Sequence, residues 1–138
     1  MLGRLRKAQD EREGGFTLIE LLVVIIIIGI LAAIAIPVFL RQREKGYKAA
    51  MKSDLKNMAT AEESFATDND GSYTIDVADL ELEGFNKSAQ TINHTAKLIG
   101  TTGFCLQVEH AKLTDPGNVW SYNSEGVDAG KPVNAACA

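Results

Sequence analysis

Few side chains in the 138-residue sequence could do chemistry, and their spacing excludes most of it. His94 and His110, the only histidines, stand 16 residues apart with no nucleophile signature beside them, so they read as satisfied or exposed imidazoles rather than catalytic ones. Asp68 and Asp70 could open a calcium loop, but Gly71 follows too early for an EF-hand and no Glu closes it, which favours a turn. There is no glycine-rich phosphate loop. Asn86-Lys87-Ser88 and Asn93-His94-Thr95 fit the N-glycosylation acceptor pattern, which arises often by chance. Cys105 and Cys137 lack His or Cys partners at metal-ligand spacing and lie downstream of a hydrophobic segment, so they read as a disulfide rather than a zinc site, with free thiols as the alternative. Nothing here supports an enzyme, a metal site or a cofactor.

Glu20 is the exception because of where it lies. Between Phe16 and Leu40, 21 of 25 residues are apolar and Glu20 carries the only charge. A carboxylate in a membrane helix costs roughly 2.5–3.5 kcal/mol on insertion scales, so it needs a partner or an interface.

The elements that position these residues follow from periodicity. Phe16 to Leu40 would make a helix of about 37 Å, enough for the roughly 30 Å of a bilayer core. The run is longer than the roughly 7–15 apolar residues of a secretory signal, and no small-residue cleavage site closes it, so it is expected to be retained. Beyond it, Tyr47, Met51, Leu55, Met58 and Phe65, with Ala50 and Ala61, form an apolar stripe that continues the helix to Thr67. Asp68-Asn69-Asp70-Gly71 should stop it. Strands are expected at Thr91–Ile99, Gly103–His110 and Asn118–Ser124, joined by the turns Gly100-Thr101-Thr102-Gly103 and Thr114-Asp115-Pro116-Gly117. Residues 123–136 read as an exposed loop tied back by Cys137. One long helix followed by short consecutive strands implies an α+β fold with an antiparallel sheet packed on the helix.

Charge is segregated: residues 1–15 carry a net +1, residues 41–67 a net +2, and residues 68–138 a net −6. So acidic a tail is a poor nucleic-acid surface, and no direct nucleic-acid binding is expected. Counting Lys and Arg on either side of the apolar segment gives four before it and six in the 16 residues after it, which would weakly place the C-terminal side in the cytoplasm. The cysteine pair argues for the opposite orientation.

The stretch Gly14-Gly15-Phe16-Thr17-Leu18-Ile19-Glu20, between a charged leader and the apolar run, resembles the processing site of type IV prepilins and their pseudopilin relatives. The resemblance implies a leader over residues 1–15, cleavage between Gly15 and Phe16 by a membrane aspartyl peptidase, and methylation of the new amino terminus. It implies that Glu20, at the fifth mature position, engages the Phe16 amine of a neighbouring subunit. Gly29 and Pro37 stand where that family often weakens the helix, although both residues are also ordinary in membrane helices. Tyr73, Leu80 and Gly84 match the family's connecting loop. The expected fold is the pilin roll: a long N-terminal helix, transmembrane over 16–40 and amphipathic over 41–67, packed against a sheet of three to four strands within a head over 68–138. The expected function is that of a structural subunit polymerising through its hydrophobic helix into a surface filament. A pseudopilin of a type II secretion or competence system, and a membrane-anchored binding protein that never polymerises, are the alternatives. Implied partners are identical subunits, the prepilin peptidase, an assembly platform with its ATPase, and the membrane. The chain would sit in the inner membrane with its amino terminus cytoplasmic, then in an extracellular pilus. In such an array the bases between Arg41 and Lys56 would face acidic heads of neighbours.

Overall fold

The computed structural model describes residues 14–114 and 116–138. Most of the expected leader, and Asp115 of the second turn, lie outside the described residues. The chain divides into two compact units, parted between Arg41 and Gln42.

In the N-terminal unit, helix α1 (Leu18–Asp68) begins two residues after Phe16. The side chains from Phe16 to Leu40 are exposed almost without interruption, and Ile and Leu dominate. This stretch is long and apolar enough to cross a membrane. Neither Gly29 nor Pro37 interrupts the helix, although Pro37 has no N–H to offer the Ala33 carbonyl one turn earlier.

The C-terminal unit is built on the second half of α1. Met51, Leu55 and Met58 are fully buried, with Ala59, Ala61 and Ala66 beside them, while Tyr47, Ala50 and Phe65 of the stripe are half-buried. The helix stops as its turn chemistry requires. Asp70 takes a left-handed φ of 53° and Gly71 one of 81°, which lets the Gly71 N–H reach back to the Ala66 carbonyl at 2.8 Å. A short helix α2 (Val77–Leu82) follows, capped by the Asp76 side chain, which accepts from Ala78 N. The family resemblance implies a connecting loop there, and the sequence pattern shows no helix because six residues are too few to display helical periodicity.

Strands β1 (Thr91–Ile99), β2 (Gly103–His110), β3 (Val119–Asn123) and β4 (Pro132–Val133) form one antiparallel sheet in chain order. The first two match the expected bounds, and the third is one residue shorter at each end. The two residues of β4 fall inside the stretch read as an exposed loop. A two-residue strand with a Pro carries no alternation to read, and it pairs at the sheet edge, where Pro is tolerated. On β2, Phe104, Leu106 and Val108 point to the helix and are at most 1% exposed. Tyr122 and Trp120 stand opposite Leu106 and Val108 in the register and extend the same face. Leu80 and Phe85 close the core from the connecting segment.

Cys105 lies on the other face of β2 and is bonded to Cys137, with Cα atoms 5.9 Å apart. The Cys137 N–H donates to Gln107 Oε1 on that face at 3.0 Å. The C-terminal segment thereby covers the back of the sheet, which is why Cys105 is buried.

A second, polar tie joins sheet and helix. Asp54, 1% exposed on the core face of α1, accepts from Ser88 N at 3.1 Å, Ser88 Oγ at 2.5 Å and Thr91 Oγ1 at 2.6 Å. His94 Nε2 lies 3.0 Å from Asp54 Oδ2 and must carry the proton, since an ionised carboxylate only accepts. Burial alone would raise the Asp54 pKa, but the bonds from Ser88, Thr91 and His94 outweigh it and hold the carboxyl below its ordinary value of 3.8.

Two outcomes follow for denaturant unfolding of the detergent-solubilised chain. Replacing Cys105 and Cys137 by Ser should cost about 3.5–4 kcal/mol in the chain-entropy model. Asp54→Ala strands two hydroxyls and an imidazole and should cost about 3–5 kcal/mol at pH 7. Because the Asp54 pKa is depressed, its stabilisation is present above the unfolded value and is lost as pH falls through the folded one. The gap between wild type and Asp54→Asn should therefore close below about pH 4.

Candidate functional site

The amino-terminal end of α1 holds the residues singled out by type and position. Gly14 and Gly15 precede the helix, exposed and without regular structure, and space is open around both. Phe16 is 92% exposed. Glu20 has partners within its own chain: Oε2 accepts from Thr17 N and from Thr17 Oγ1, both at 2.8 Å, and Glu20 N donates to Thr17 Oγ1 at 3.3 Å. Thr17 is thus the N-cap and Glu20 the third helical residue of a capping box, which satisfies orphan donors of the first turn. The signal was in the sequence as Thr17-Leu18-Ile19-Glu20, a T-x-x-E ahead of an apolar run, and reading the carboxylate only as a buried charge missed it. The Phe16 nitrogen is a peptide nitrogen in the uncut chain. Only a cut between Gly15 and Phe16 would make it an amine.

Gly29 and Pro37 lie further along the same exposed helix. A Cβ at Gly29 would meet nothing within 4 Å, so the missing side chain leaves room on the helix surface where another helix backbone could approach closely.

The bases of the amphipathic half have engagements inside the chain. Lys48 pairs with Glu44 one turn back at 2.6 Å. Lys52 Nζ sits 4.4 Å from the centre of the Trp120 ring, a cation–π contact, and Arg43 donates to the Tyr47 hydroxyl at 2.6 Å. The expectation that Lys48 and Lys52 hold their charge for neighbouring heads must reckon with these partners.

Both histidines are occupied. His94 belongs to the Asp54 tie. His110 stacks on Tyr47 with ring centres 4.3 Å apart, and its Nδ1 accepts from Lys112 N at 3.1 Å. Burial, with the Lys112 charge added, lowers its pKa below the usual 6.5 and keeps the ring neutral. The Ser88 hydroxyl of the first acceptor pattern is bonded to Asp54, and Asn93 of the second donates to Glu109.

Sequence reasoning also missed two buried carboxylates on α1. Asp54 and Glu62, counted there only as charges, fall on the core face with Met51, Leu55, Met58 and Ala61. The spacing 51, 54, 55, 58, 61, 62 follows the helical period, and laying every residue on the stripe, rather than the apolar ones alone, would have found both.

Comparison with known proteins gives this geometry its context. Residues 11–36 match the family model described as the prokaryotic N-terminal methylation motif. The type IV major pilin protein PilA of Myxococcus xanthus is 49% identical over 61 residues, 44% of this chain and only 28% of that protein. Competence protein ComGC of Bacillus subtilis is 37% identical over 99 residues, covering 71% of this chain and 98% of that protein. The type IV wide pilus major component PilA4 of Thermus thermophilus is 33% identical over 106 residues, 77% of each chain. Likeness of that extent reaches well beyond the methylation motif into the sheet, and with the long apolar helix packed on a four-stranded antiparallel sheet it shows that the chain belongs to the type IV pilin family.

Proposed function

We propose that the chain is a structural subunit of a type IV pilus, cut between Gly15 and Phe16 and polymerised through residues 16–40. The observation that carries this reading is the exposed apolar half of α1 opening on a capped carboxylate. A helix meant only as an anchor gains nothing from Glu20, whereas a helix that packs against copies of itself gains a polar contact that fixes stagger. The same family membership favours a non-catalytic role. Before assembly the apolar half resides in the inner membrane with the amino terminus cytoplasmic, and afterwards in the core of a surface filament. Prepilin peptidase, assembly platform and ATPase are the partners this requires. A competence pseudopilin is the second reading, favoured by the match over nearly the whole length of ComGC.

Within this reading Glu20 exchanges partners. In the single chain it caps its own helix through Thr17. After cleavage the cationic amine of a neighbour's Phe16 offers a charge-assisted partner in a low-dielectric core, where such a bond is stronger than a neutral one.

Sheared filaments, imaged by electron microscopy and identified by mass spectrometry, test the central reading: it requires this chain as the main component, and filaments lacking it would defeat it. The mature subunit should begin at Phe16, with 123 residues and a net charge of −5. Gly15→Val should accumulate precursor in the membrane, because a side chain there obstructs entry into a narrow protease cleft. Glu20→Ala should still insert and be cleaved yet yield few or no filaments when it is the only copy. Wild-type filament number and length from that variant would refute the assembly role of the carboxylate.

A further inference from the structure

Glu62 is fully buried on the core face of α1, and its Oε1 has no hydrogen-bond partner. Its other oxygen accepts from Thr74 N at 3.1 Å. Thr74 opens the segment that leads to α2, and its hydroxyl donates to Asp79 Oδ2 at 2.8 Å while accepting from Asp76 N at 3.0 Å. One threonine therefore links the buried carboxylate to the fold of the whole connecting segment.

We propose that Glu62 is a proton-operated latch: protonated, it seats residues 72–85 against α1, and ionised, it loosens that segment while leaving the sheet and the Asp54 tie in place. The inference stands apart from the filament reading, since it concerns only contacts within the C-terminal unit.

The surroundings give the latch its direction. The charged groups that face Glu62 are Glu63 on α1 and Asp79 on α2. Tyr73, from the segment between the helices, donates to Glu63 at 3.3 Å, and the charge of Glu125, after β3, reaches Tyr73. All of these are acidic or neutral, so an ionised Glu62 would be desolvated, half-partnered and repelled at once. Burial is the largest effect, the Thr74 N–H opposes it, and Glu63 and Asp79 each add a smaller increase, so that the pKa rises from 4.5 to about 7. Asp54, eight residues earlier on the same face, shows the contrast, with donors to both oxygens. Other contacts of the segment keep its release local. Leu80 and Phe85 are buried, Tyr73 meets Phe104 edge-on at 4.8 Å, and Ser64 Oγ donates to Glu83 at 2.6 Å.

The sign follows from linkage. The seated state binds the proton more tightly than the released state, so seating is strongest below the unperturbed value of 4.5, weakens through the interval up to about 7, and is constant above it. Between pH 5.5 and 8.5 those two values predict roughly a 30-fold fall in the seating equilibrium.

The full chain in detergent micelles tests this by amide hydrogen exchange, corrected for the intrinsic pH dependence of exchange. Amides of residues 73–85 should lose about 30-fold in protection from pH 5.5 to 8.5 while those of β2 hold constant. Glu62→Gln should keep the pH 5.5 protection at both values, and Asp79→Asn, with one repelling charge removed, should show a smaller fall. The Glu62 carboxyl carbon, followed by NMR in the unmutated chain, should titrate near 7. A midpoint near 4.5, pH-independent protection in the unmutated chain, or an unreduced pH dependence in either variant would overturn the proposal.

Discussion

Eighteen large apolar side chains between Phe16 and Leu40 stand exposed, all but Phe16 on a single helix. At roughly 1.5–3 kcal/mol for burying each, their exposure to water would cost some tens of kcal/mol, against the roughly 5–15 kcal/mol that holds a folded domain together. Nothing among the described residues offsets that. The apolar half calls for cover from outside the described residues, and the remaining features are organised around it. The capped start of the helix leaves few orphan donors at the end of the segment, and the second half carries its own sheet so that the water-facing part needs no such cover.

The two halves of helix α1 therefore differ in how they are buried. Upstream its burial is external. Downstream it forms one wall of a core closed by Phe104, Leu106, Val108, Leu80 and Phe85. Two carboxylates lie on that wall, and their environments push them in opposite directions: Asp54 is saturated with donors and held low, while Glu62 is half-satisfied and raised to about 7. Protonation of Asp54 in acid weakens the tie to β1, and a rise in pH from 4.5 to about 7 weakens the tie to the connecting segment, so the two ties pull the pH of best stability in opposite directions.

Much of this was legible beforehand, for physical reasons that differ by element. The apolar segment, the stripe at Met51, Leu55 and Met58, and the alternation of Phe104, Leu106 and Val108 are long periodic signals, and burial enforces them. The resemblance around Gly15, Phe16 and Glu20 was legible because the motif that carries it is continuous in sequence. Helix α2 and strand β4 were not, being too short for a period and held by Thr74, Asp79 and the disulfide-bonded segment. The Asp54 tie was invisible for another reason. Its members lie 34 to 40 residues apart, and each is an unremarkable polar residue alone. The Thr17–Glu20 cap was plain in the sequence, but attention to the cost of the charge hid the bond that answers it.

The order of the strands has a kinetic meaning. Because the sheet runs β1-β2-β3-β4 in chain order, each pairing closes only a short loop, and the entropy of closure rises slowly with loop length. Hairpins of this kind form quickly and independently of distant segments. The joining of helix to sheet closes longer loops, since Asp54 meets Ser88 and His94 across 34 and 40 residues of chain. Strand pairing is thus local along the chain, and the contacts between helix and sheet are the ones that span its longer stretches.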